Sequence, residues 1–182
     1  MEKVALGVVD VLRSETVTRW HIVHTIRHQS VAEHSAGVAF IALHICHQRG
    51  LSHERTNEVV MAALLHDVPE VLMGDLVPPT KEYLGLHEAI SGLESRMTYA
   101  GRTLCPPSDK EAADIIKLAD KVEALVFLEH NGVKTSAHVR LAAAGLRNTI
   151  VARWPDEGPR LIDDALSDNI ACMDTLLERD GE

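Results

Sequence analysis

His66 and Asp67 stand side by side at the end of the apolar run VVMAALL, followed by Glu70 and, beyond a glycine, by Asp75. An imidazole and a carboxylate on such a run are costly to desolvate unless something pairs with them. Two more polar groups interrupt apolar stripes elsewhere. Positions 31, 34, 38, 41 and 45 share one helix face and read Val, His, Val, Ile, Ile, which sets His34 among apolar neighbours. Positions 113, 116, 120, 124 and 127 read Ala, Ile, Asp, Ala, Phe, which does the same for Asp120. Any one of these alone reads equally well as a buried hydrogen bond between helices. Together, from three separated places, they supply two imidazole nitrogens and two carboxylate oxygens, a donor set for one divalent ion. Such a mixed set leaves coordination positions open, unlike the closed cysteine-rich cages of structural zinc. An open position admits water, whose pKa a zinc ion lowers to about 7. The chemistry within reach is hydrolysis.

Converging four groups so distant in sequence calls for closely packed helices. Apolar residues make up 46% of the 182 residues and aromatics only 3%, with Ala, Leu and Val dominant, which favours helices over a β-sandwich. Helical spacing predicts a first helix over 2–13. The joint SETVTRWHIVHTIRHQ follows, ambiguous in type and rich in His and Arg. Ser30 and Glu33 form a capping-box pattern opening a helix to about 49, with Gly50 as its stop. Further helices are predicted over 53–68, ending before Pro69, and over 80–100, where Gly85 and Gly92 weaken the pattern. Ser108 and Glu111 repeat the capping pattern for a helix to 131, and helices over 136–152 and 160–179 complete the chain. No segment alternates with period two. The expectation is an all-α fold, a compact bundle of about six to eight helices forming a single domain over 1–182.

The formal net charge of −9 and the lack of a Lys/Arg run argue against a nucleic-acid polymer as partner, while a small anion remains open to a local basic pocket. Cys46, Cys105 and Cys172 are odd in number and form no CxxC, which points to free thiols in a reducing compartment. VALGVV at 4–9 is too short to span a bilayer and lacks a cleavage pattern, so a cytoplasmic protein without a membrane partner is expected.

VAEHS around His34, HD at 66–67 and KLADKVEAL around Asp120 resemble the H…HD…D signature of the HD-domain phosphohydrolases. The resemblance runs over roughly residues 15–130 and is closest to the small bacterial and phage branch that hydrolyses deoxynucleotides, through RW before the first histidine and HDxxExxxGDL after the second. It implies a divalent ion (Zn, Co, Mn or Mg) on His34, His66, Asp67 and Asp120. It implies Glu70 as the catalytic glutamate that orients or deprotonates the attacking water. Asp75 matches the aspartate that binds the sugar 3′-hydroxyl or helps protonate the departing O5′; the sequence leaves both open. Arg19 and Lys81 match basic residues that hold phosphate oxygens. Trp20 matches the ring set against the deoxyribose.

Ordinary readings stand beside these. Glu70 also reads as a helix-end carboxylate, Arg19 and Lys81 as surface charges, and Trp20 as a core anchor. His44 and His47, one turn apart, read as polar-face residues, and Trp154 as packing. Within the branch, some members cleave a deoxynucleoside monophosphate, while others attack the same α-phosphorus of a triphosphate and release triphosphate whole. RWHIV and DLVPPTK are similar to phage enzymes that remove dATP, in which residues matching Trp20, Ile22 and Pro79 pack around the base. An apolar wall there leaves a purine 2-amino group without a partner. The resemblance therefore implies a deoxynucleotide substrate, dATP first and a monophosphate second, and assembly as a dimer or hexamer. A non-catalytic nucleotide sensor and a purely structural bundle are the other classes. A cyclic-dinucleotide phosphodiesterase is disfavoured because the chain has no GYP element.

Overall fold

Three long helices build the frame that holds the site. The computed structural model describes residues 2–104 and 109–167. Ahead of the frame lie β1 (Val4–Leu6), α1 (Val8–Leu12), a 3-10 turn (Arg13–Glu15), β2 (Thr18–Arg19) and β3 (Gln29–Ser30). The frame begins with α2 (Val31–Gln48), whose capping box forms as predicted: Ser30 Oγ accepts from the Glu33 N–H at 3.1 Å, and the Ser30 N–H donates to Glu33 Oε2 at 2.7 Å. Next is α3 (His53–Leu65), capped by the Ser52 hydroxyl. Then come α4 (Glu70–Met73), α5 (Pro78–Tyr83), α6 (His87–Glu94), β4 (Met97–Tyr99) and β5 (Arg102–Thr103). The third frame helix, α7 (Lys110–Asn131), is followed by α8 (Ala137–Arg153) and α9 (Glu157–Leu166).

Small residues let the frame close up. Ala42 on α2, Ala63 on α3 and Ala119 on α7 are fully buried beside Val38, Ile45, Val59, Ile115, Leu118 and Leu125. Burying one such leucine is worth about 1.5–3 kcal/mol. Ile150 and Trp154 from the end of α8, with Leu161 and Ile162 of α9, seal the same core. The fold class is the helical one expected.

Several boundaries differ from the sequence reading. Residues 2–13 divide into β1 and α1 because β1 pairs in parallel with β4, Val4 opposite Met97 and Leu6 opposite Tyr99. Val4 and Leu6 then pack on a second cluster of Leu65, Val68, Met97 and Leu104, which leaves Val8, Val9 and Leu12 exposed. The helix predicted over 53–68 stops at Leu65, and the turn beyond it carries His66 and Asp67. The segment 80–100 is two short helices and a strand, since Gly85 takes φ +61° and ends α5. Asp109 caps α7, its side chain accepting from the Ala112 N–H at 2.9 Å. The predicted cap Ser108, Cys105, Cys172 and residues 168–179 of the last predicted helix lie outside the described residues. Cys46 is a buried free thiol.

Two-residue strands matter most for the site. β2 and β3 pair antiparallel, Arg19 opposite Gln29, so the loop between them returns to the start of α2. Its two ends bring Arg19, Trp20 and Gln29 beside His34.

Candidate active site

His34, completely buried on α2, turns Nε2 to a point shared with the turn after α3 and the middle of α7. His34 Nε2 lies 3.4 Å from Asp67 Oδ2 and 3.3 Å from Asp120 Oδ1, and His66 Nε2 lies 3.3 Å from Asp67 Oδ2. One donor atom each from His34, His66 and Asp67 fall within 4.8 Å of one another. Donors about 2.1 Å from a tetrahedral ion sit about 3.4 Å from their neighbours, so these spacings suit one divalent cation. The rings are also aimed correctly. His66 Nδ1 meets the Ala63 carbonyl at 2.6 Å and must donate to it, leaving Nε2 free. Neither His34 Nε2 nor His66 Nε2 has a hydrogen-bond partner although both are buried. Orphaned nitrogens beside two carboxylates are what a metal-binding group looks like.

The electrostatics call for positive charge. Burial opposes ionisation of Asp67, but the neighbouring His66, the charge of Arg19 and His34 outweigh burial and hold the carboxyl well below the usual range. Asp120 is likewise held low: burial resists, while the neighbouring His34 ring and the charge of Lys121 prevail. Burial works against a proton on His66, yet Asp67 and Asp120 push its pKa up to about 9. A divalent cation held by these residues would supply the same compensation in place of that proton.

Around this centre stand the other predicted residues. Arg19 Nη1 donates to Asp67 Oδ2 at 2.8 Å, and its buried Nε has no partner. Glu70, at the first position of α4, is 6% exposed, and its Oε2 has no partner. Burial, then the charges of Asp67 and Asp75, raise its pKa to about 8 against the pull of Arg19 and Lys81. Lys81 Nζ lies 3.8 Å from Glu70 Oε1, and Asp75 Oδ2 lies 3.8 Å from His21 Nδ1. A cavity of about 600 Å³ opens from Arg19 and Asp120 and is walled by Trp20, Ile22, Val77, Pro79 and the α8 face of Leu141, Ala142 and Gly145. Asp75 lines it and Lys81 does not. Trp20 adopts φ +61°, held by its Nε1 bond to Gln29 Oε1 at 2.9 Å and by parallel stacking on Phe127 at 6.1 Å. It is a packed residue and a cavity wall at once.

Sequence reasoning missed Gln29, Glu123 and the cavity face of α8, though it predicted the helix itself. Glu123 lies three residues after Asp120, one turn along the same face, and that spacing was the available signal. Nothing in the α8 pattern marks its cavity face. His44 and His47 are exposed, with His44 Nε2 2.8 Å from Gln48 Nε2, and they join no cluster with the centre.

Known proteins share this arrangement of chain. A dATP triphosphohydrolase of Salmonella phage PMBT28 is 35% identical over 130 residues, 68% of this chain and 66% of that protein, a little under two thirds of its length. A 5′-deoxynucleotidase of Pectobacterium atrosepticum is 27% identical over 163 residues, 80% of this chain and 82% of that protein. Among solved structures, the cyanophage S-2L HD phosphohydrolase DatZ, bound to dA and one catalytic Zn2+ ion, superposes with a TM-score of 0.62 at 28% identity, covering 83% of this chain and 86% of that one. The family described as 5′-deoxynucleotidase YfbR-like matches residues 9–105, from α1 through β5, and takes in His34, His66, Asp67 and Glu70. With that match spanning more than half its length, this chain belongs to the YfbR-like 5′-deoxynucleotidase family of HD-domain hydrolases.

Proposed function

We propose that the protein hydrolyses deoxynucleotides at the α-phosphorus, with dATP as substrate and deoxyadenosine and triphosphate as products. The observation that carries this reading is the convergence of His34, His66, Asp67 and Asp120, the last of which also lines the cavity walled by Trp20, Ile22 and Pro79. The four side chains would hold a divalent ion, Zn, Co, Mn or Mg. When bound, the ion supplies Lewis acidity to a phosphate oxygen and acidity to water. Glu70 presents Oε2, buried and unpartnered, as the atom that orients the attacking water and takes its proton. Arg19 holds Asp67 through Nη1 and turns further N–H groups to phosphate oxygens, with Lys81 adding positive charge beside Glu70. Asp75, on the cavity wall, faces the sugar end of the substrate, at the 3′-hydroxyl or the departing O5′. Trp20 is fixed from behind by Phe127, so it resists displacement by a 2′-hydroxyl.

Support for the base and the chain length of the phosphate comes from two sides. Ile22, Val77 and Pro79 offer no side-chain acceptor to a purine 2-amino group, which disfavours guanine. The Salmonella phage relative and DatZ are named for dATP or bound to dA. The monophosphate reading rests on the family's own description and on the Pectobacterium relative. A panel of dNMPs, dNTPs and matching ribonucleotides with Zn, Co, Mn and Mg, products separated by chromatography, decides. Triphosphate from dATP is expected, orthophosphate from dAMP would transfer the assignment to the monophosphate, and no turnover at all would favour a sensor.

The same reading carries a single domain over 1–182 working in the cytoplasm, without a nucleic-acid polymer or membrane as partner. The main core shared by α2, α3, α7, α8 and α9, the buried free Cys46 and the acidic net charge support it, and no described helix is long and apolar enough to cross a membrane. Assembly as a dimer or hexamer is supported by exposed Phe40 and Leu43 on the outer face of α2, and light scattering measures it.

A further inference from the structure

Behind His34, Glu123 and Gln29 form a polar line to Trp20, and the catalytic reading uses neither of these two side chains. His34 Nδ1 meets Glu123 Oε2, the other Glu123 oxygen accepts from Gln29 Nε2 at 2.6 Å, and Gln29 Oε1 accepts from Trp20 Nε1 at 2.9 Å. His34 is fully buried, Gln29 is 2% exposed and the Glu123 side chain 12%. The direction of every bond is forced. An indole N–H only donates, so Gln29 must turn its oxygen to Trp20 and its amide hydrogens to Glu123. A carboxylate only accepts, so His34 must carry its proton on Nδ1 and leave the Nε2 lone pair facing Asp67 and Asp120. The backbone makes room for this. A Cβ at Gly37, one turn along α2 from His34, would meet Glu123 Cγ at 2.7 Å.

We propose that Glu123 is a positioning residue for the metal centre: it fixes the tautomer and ring orientation of His34 and is itself fixed by Gln29, which ties the centre to the cavity wall at Trp20. Two donors converge on the two oxygens of Glu123, and that explains why a carboxylate stands there. A glutamine at 123 has one acceptor oxygen and cannot serve both His34 and Gln29. Partners of this kind on a ligating histidine contribute about 10- to 100-fold in metal affinity. The inference rests on the metal reading above.

The test is Zn2+ affinity of the full chain, measured by competition with a chromophoric chelator, with melting temperature recorded beside it. Glu123→Gln is expected to weaken Zn2+ about 10- to 100-fold. The swap Gln29→Glu with Glu123→Gln restores every donor to an acceptor, since residue 123 now donates to residue 29 and still accepts from His34; it should regain most of the loss. Gly37→Ala, which displaces Glu123 without changing its charge, should weaken Zn2+ in the same direction. Nitrogen-15 spectra of the His34 ring report the Nδ1–H tautomer in the wild type and a mixture in Glu123→Gln. A Glu123→Gln protein that binds Zn2+ as tightly as the wild type overturns the proposal, as does a swap no tighter than the single variant. Wild-type protein that binds no Zn2+ overturns the metal reading itself.

Discussion

α2 and α7 share two polar clusters, one at each end of their contact, and the two are built on opposite terms. At the far end, Arg49 Nε and Nη2 grip both oxygens of Glu157 at 3.1 and 2.6 Å, Nη2 reaches Asp114 at 3.3 Å, and Trp154 Nε1 donates to Asp114 at 3.0 Å. Donors meet acceptors there, and α2, α7, α8 and α9 are fastened together. At the His34 end, Arg19 Nε, His34 Nε2, His66 Nε2 and Glu70 Oε2 are buried without partners; among the described residues only Ser35 Oγ joins them. The same helices therefore carry one cluster that spends its polar groups on the fold and one that withholds them for a ligand.

The largest effect that can break this contrast is at Glu70. Glu70→Ala should cut turnover by about 100- to 10,000-fold while metal content stays near normal and the melting temperature does not fall. Near-wild-type turnover removes Glu70 from the mechanism, and a large fall in stability would make it a fastening residue like Asp114. Trp20 tests the boundary, because it belongs to both worlds. Trp20→Ala should let ribonucleotides compete better, shifting the deoxy-to-ribo ratio of kcat/KM by about tenfold. An unchanged ratio would leave Trp20 only its packing on Phe127.

The smallest effect sits at the far end. Asp114→Ala strands the Trp154 N–H and one arm of Arg49, and should cost about 1–2 kcal/mol, reduced by partial exposure, with kcat unchanged. Its pH dependence has a definite sign. Burial opposes its ionisation, but bonds from Trp154, Arg49 and Arg153 outweigh burial and hold the Asp114 carboxyl below its ordinary value. The unfolded chain therefore takes up this proton at higher pH than the folded one. The stability it adds is complete above the ordinary carboxylate pKa and drains as pH falls through the folded value. Thermal melts of wild type and variant should converge in acid; curves that stay parallel would show that Asp114 acts through packing instead.

How far the sequence could be read follows the range of the interactions involved. The Ser30–Glu33 cap is local and was readable at once. So was the placing of His34 and Asp120 in apolar stripes, which the fold brings to 3.3 Å of each other. β1 depends on β4, far along the chain, and Val4, Leu6, Met97 and Tyr99 carry no local sign of that pairing. Glu123 eluded the reading because its work is done on another side chain: a glutamate on a helix looks solvated until its two bonded neighbours, Gln29 and His34, are seen.

The parallel pairing of β1 with β4 also governs the order in which this molecule can be finished on the ribosome. Val4–Leu6 must wait, unpaired, until Met97–Tyr99 has been synthesised, while α2 and α3 can already dock. His34, His66 and Asp67 then stand ready before Asp120 emerges. Three of the four candidate donors thus come from chain synthesised early, and α7 brings the fourth, Asp120, before α8 and α9 follow to seal the core.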